Sequence, residues 1–129
     1  MNNFRLLFGL LLTLPLAAWG CRCVEPDIKN AYLRADAVAM IHITTIVDNN
    51  DGIVRAQGTV SQWWKSALPS KVEVWTGDNC AYPLKTASTY LLYLQKDNEG
   101  RLSTYMCKGN QPDAQAEPGL KWLGKHGRK

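Results

Sequence analysis

Apolar residues in this chain recur mostly at every second position, in short runs separated by turn-forming clusters. Ala37 to Val47 is rich in Val, Ile and Thr and predicts a strand. Asp48-Asn49-Asn50-Asp51-Gly52 is a dense turn signal, and Ile53 to Trp64 follows with rough alternation, so the two runs predict a hairpin. Leu68-Pro69-Ser70 breaks the pattern. Lys71 to Thr76 sets Val72, Val74 and Thr76 against Lys71, Glu73 and Trp75, a short strand. Gly77-Asp78-Asn79-Cys80 is a turn, and Tyr90 to Leu94 is a β-rich strand. Lys96-Asp97-Asn98-Glu99-Gly100 is a second hairpin turn, from which Arg101 to Cys107 pairs back. Asp27 to Ala35 has room for a short helical turn. After Pro112, Asp113 is placed to cap a terminal helix carrying Leu120, Trp122 and Leu123, which Pro118-Gly119 weakens. About five strands with a minor helix predict an all-β fold, a small barrel or sandwich.

The first 20 residues follow another pattern. Arg5 precedes an apolar stretch from Leu6 to Ala18, and Ala18-Trp19-Gly20 places small residues where signal peptidase reads them. The stretch is shorter than the roughly 20 apolar residues a membrane span needs. The pattern therefore predicts a signal peptide over residues 1–20 and one small exported domain over 21–129, secreted or periplasmic, without a transmembrane segment. Its tail from about residue 112 is helical or frayed, and Lys121, Lys125, Arg128 and Lys129 read as a solvated end. The formal net charge of +4 is too mild to argue for or against an anionic partner.

Little here points to catalysis. His42 and His126 have no Cys, Ser or metal-spaced partner nearby, and no Ser-His-Asp, Walker, His-Glu-x-x-His or Gly-rich phosphate motif is present. The expectation is a non-enzyme with no cofactor of its own. Trp63, Trp64, Trp75 and several tyrosines could supply a stacking surface or simply pack the barrel. Export argues against a nucleic-acid partner and leaves a glycan or peptide open.

Four cysteines follow the signal segment: Cys21, Cys23, Cys80 and Cys107. An even count in an exported domain predicts two disulfides. A Cys21–Cys23 bridge would close a tiny ring, so two pairings remain. In an extended terminus, residues i and i+2 face the same way, so both sulfurs can pin the terminus to the body. A Cys-x-Cys zinc site would need further ligands, and bridged cysteines cannot ligate. Cleavage after Gly20 makes Cys21 the first residue. Its α-amino nitrogen and carbonyl oxygen then form a pincer able to close a five-membered ring on a metal ion. The same placement is also the pattern of lipoprotein attachment. A lipid anchor at Cys21 would cap the amino group and abolish the pincer.

Cys21-Arg22-Cys23-Val24-Glu25-Pro26, followed by Ala31-Tyr32 and Ala35-Asp36-Ala37-Val38, resembles the mature start of the tissue inhibitors of metalloproteinases. Val60 to Lys65 is similar to that family's second strand and its Trp/Phe-Lys ending. Thr76 to Cys80 with Leu84, Ser88 to Leu94, and Gly100 to Cys107 continue the likeness, which covers residues 21 to about 112. The resemblance implies a netrin-like module, a five-stranded OB-fold barrel, with the pairing Cys21–Cys80 and Cys23–Cys107. It also implies that the pincer of Cys21 chelates the catalytic zinc of a metalloprotease, displacing the water that zinc activates. Arg22 would enter the pocket beside the metal, and Cys23, Val24, Glu25 and Pro26 would lie along the cleft. Asp78 and Asn79 would rest on its other side, with Asn49 to Gly52 as a further contact.

Three departures stand out. Leu33 occupies the place of the family's third N-terminal cysteine, and its cysteine-rich second domain has no counterpart here. Arg22 replaces a small polar residue, and a buried guanidinium without a carboxylate is costly, so the expected target pocket is acidic or open. The alternative is a non-inhibitory netrin-like binding module, with or without a lipid anchor at Cys21, that recognises a protein or glycan.

Overall fold

The computed structural model describes residues 21–127, so the expected signal peptide, Arg128 and Lys129 lie outside the described residues. Helix α1 (Ile28–Arg34) comes first, started by Asp27, whose Oδ1 accepts from the Asn30 amide at 2.8 Å. Its C-terminal carbonyls, on Tyr32 and Leu33, accept from Lys65 Nζ at 2.7 and 3.1 Å.

Strands β1 (Ala37–Asp48) and β2 (Ile53–Trp64) form the expected hairpin. Strand β3 (Lys71–Gly77) lies antiparallel to β2, and β4 (Thr89–Lys96) lies antiparallel to β1. Strand β5 (Leu102–Ser103) pairs with β4 and, in parallel, with β3. The order β1-β2-β3-β5-β4 therefore returns to β1 and closes a five-stranded barrel, the OB-fold topology. A two-residue strand that no run of the sequence predicts, β6 (Gln111–Pro112), pairs with the start of β4 at Tyr90 and Leu91.

The chain is buried in two layers. Inside the barrel lie Ala37, Ala39, Ile41, Ile43, Val74, Leu92 and Leu94. Outside it, Val38, Leu91 and Tyr93 pack with Ala31, Ala35, Trp64 and Leu123 under the helices. Successive residues of β1 and β4 thus enter different cores, which is why these strands read as nearly continuous apolar runs. The helix α2 (Glu117–His126) supplies Leu123 to the outer layer, so the C-terminal segment is packed rather than frayed through His126. Pro118 lies in the first turn of α2, where a missing N–H costs nothing, so it starts the helix instead of weakening it. Asp113 opens a separate 3-10 turn, and the residue capping α2 is Ala116.

The expected strand Arg101 to Cys107 is shorter than its apolar pattern promised. It stops at Ser103 because side chains replace the ladder. Asn110 Oδ1 accepts from the Tyr93 amide at 2.8 Å, and Thr104 Oγ1 donates to the Tyr93 carbonyl at 2.9 Å. Asn110 Nδ2 donates to Thr104 Oγ1 at 2.7 Å, so this buried group satisfies its own members and the backbone of Tyr93. Among the described residues, no helix is long and apolar enough to cross a membrane.

Candidate functional site

The segment Cys21 to Pro26 has no regular secondary structure, and most of it is exposed. Left alone, such an end would fray. Two disulfides hold it, Cys21–Cys80 and Cys23–Cys107, with Cα separations of 4.9 and 6.0 Å. The two bridges lie side by side, with Cys21 Sγ and Cys23 Sγ 3.7 Å apart. Their far ends are also joined, because the Met106 amide donates to the Cys80 carbonyl at 2.8 Å. The sequence separations of 59 and 84 residues correspond to roughly 4 kcal/mol each in the chain-entropy account, less where the loops overlap.

Residues between and after the bridges face outward. Arg22 is exposed, and Val24 is 89 % exposed despite its apolar side chain. Met106, beside Cys107, is another exposed apolar residue at 43 %. Glu25, also exposed, has a partner in the body of the protein. Its carboxylate accepts from the Gly109 amide at 2.7 Å and so ties the segment down a third time. Gly109 has φ +94, and a Cβ there would sit 2.6 Å from Cβ of Ala31, so a side chain is excluded on two counts. The Glu25 charge also reaches Tyr82, whose phenol is pushed up to about 12 by burial first, then by Tyr90 and Glu25.

Asp78 and Asn79 are exposed on a 3-10 turn, Asp78–Cys80, that leads directly into the first bridge. The Asp78 amide donates to the Gly52 carbonyl at 2.8 Å. A Cβ on Gly77 would meet that same carbonyl at 2.5 Å, so the β1–β2 turn seats tightly on this corner. The terminus, the turn before Cys80 and the first hairpin turn are thereby linked along one edge of the barrel. A groove of about 260 Å³ continues it, lined by Ile53, Trp75, Asp78, Arg101 and Tyr105.

Trp63, Trp64 and Trp75 do not share a surface. Trp64 is buried under α2, and Trp63 packs against the barrel core. Trp75 faces out on β3 with the guanidinium carbons of Arg55 and Arg101 at 5.4 and 5.2 Å from its ring. His42 shares a hydrogen bond of 2.8 Å between its Nδ1 and Thr89 Oγ1 on the exposed side of the β1–β4 pair. Among the described residues, no three His, Cys, Asp or Glu side chains come together as a metal site.

The chain matches no protein-family model and no curated protein.

Proposed function

We propose that the protein, once processed to begin at Cys21, blocks a zinc metalloendopeptidase by presenting that terminus to the enzyme's metal. One observation carries this reading. Cys21 and Cys23 are both bridged to the barrel, while Arg22 between them and Val24 after them stand exposed. A terminus used as a ligand must be rigid, because ordering it on contact would consume the binding energy. The α-amino nitrogen and carbonyl oxygen of Cys21 would complete a five-membered chelate and displace the metal-bound water. The enzyme would thereby lose its nucleophile. The protein contributes no metal of its own, and the zinc belongs to its partner.

Cys23 to Pro26 would occupy the cleft beyond the metal, and Asp78, Asn79 and the Asn49 to Gly52 turn would brace the other side. The sequence motif and the disulfide-bearing barrel both support this placement. Two cross-links also suit an oxidising, extracytoplasmic compartment.

The test has two parts. The intact mass of the exported protein should correspond to an unmodified chain starting at Cys21. A diacylglyceryl group there would favour the lipid-anchored binding module instead. A variant carrying one extra Ala before Cys21 should lose inhibition of zinc endopeptidases while unfolding at the same temperature. Equal inhibition by the extended form would rule out the chelation reading.

A further inference from the structure

The charges around the bridged terminus are sorted. Its two carboxylates are engaged by backbone, Glu25 by the Gly109 amide and Asp27 by the Asn30 amide. Its cations are not. Among the described residues, the ion pairs are those of Arg101 with Asp97 and Glu99. Arg22 is in none of them, nor are Arg34 and Lys108, which flank Pro26 and Cys107 around a small crevice. Asp78, exposed on the 3-10 turn that leads to Cys80, is in none of these pairs either. Arg22 is also held more firmly than a surface arginine usually is. Its backbone lies between two cross-linked neighbours, so little main-chain entropy remains to be lost when its side chain is taken up.

In a zinc protease the metal polarises the carbonyl that is to be cleaved. A chain with the Cys21 carbonyl on that metal lays its next side chain, Arg22, where the substrate residue following the scissile bond belongs. An apolar pocket there would bury a guanidinium without a partner, which is strongly unfavourable. A carboxylate in the pocket converts the same contact into a paired, hydrogen-bonded one.

We infer, resting on the metal-blocking reading above, that the target is a zinc endopeptidase with an acidic cleft that cleaves before Arg or Lys. Arg22 is the residue that selects it. Arg34 and Lys108 add long-range attraction, so association should slow as salt rises.

The experiment sets the processed protein against two zinc endopeptidases. One selects basic residues immediately after the scissile bond, and the other has a deep apolar pocket there. The natural protein should inhibit the first at least about tenfold more tightly, the loss expected for one unpaired charged hydrogen-bonding group. Arg22→Lys should keep that preference, and Arg22→Leu should reverse it without changing the unfolding midpoint. Equal inhibition of both enzymes, or a preference for the apolar pocket, overturns the inference and leaves metal blocking intact. If neither enzyme responds to the natural protein or to Arg22→Leu, the inference falls together with the reading beneath it.

Discussion

Glu25 Oε1 accepts a hydrogen bond from the Gly109 amide at 2.7 Å, across 84 residues of sequence. This contact reinforces the disulfides that hold the exposed terminus. Glu25→Ala should lower stability by about 1 kcal/mol, read as a shift in the urea midpoint. Glu25→Gln keeps a carbonyl acceptor and should recover most of the loss. The alanine variant should also weaken protease inhibition, because the segment after Cys23 is then freer before binding.

Asn110 is the side chain that stands in for a missing strand beside Tyr93. Asn110→Ala leaves the Tyr93 amide and Thr104 without those partners in a buried site. The expected cost is about 2 kcal/mol or more in chemical denaturation. A loss below about half that value would mean that water or a shifted backbone replaces the amide.

The tether at Cys21 can be separated from the atoms proposed to chelate. Replacing Cys21 and Cys80 together by Ser keeps an α-amino group and a carbonyl at position 21 but removes the tether. Stability should fall by about 2–4 kcal/mol. Inhibition should weaken by roughly tenfold or more, since the terminus must now be ordered on contact. Unchanged inhibition constants would show that rigidity at Cys21 is dispensable.

Alkaline pH should unfold the protein early. Burial pushes Tyr93 up to about 12, and Tyr82 is raised to about 12 as well. Between the ordinary value of 10.0 and about 12, the unfolded chain releases these protons while the folded chain keeps them. Stability should hold below pH 10.0 and fall as pH climbs through this window. Tyr93→Phe should flatten that decline, measured as denaturation midpoints along a pH series.

The hairpin of β1 and β2 was legible because its turn is dense in Asn, Asp and Gly and its strands are long. The double burial of β1 was visible only as an unbroken apolar run, which does not say what covers the second face. The end of β5 could not be read, since Thr104 and Asn110 replace strand pairing through contacts that pattern does not encode. At the site, Cys21 and Cys23 announced a pinned terminus, but cysteine spacing alone left two pairings. The bond of Glu25 to the Gly109 amide spans 84 residues to a backbone in the left-handed region, and no local signal links the two.

The Cys23–Cys107 bridge encloses every strand of the closed barrel within one covalent circle. A nick in an exposed turn such as Asn49 to Gly52 therefore cannot release a fragment. The halves remain attached through sulfur and can stay seated on each other. An attacked molecule would gain only the mass of one water, and its two pieces would separate only after thiol treatment. If the protein blocks a protease as proposed, this closure lets it outlast a cut in that turn.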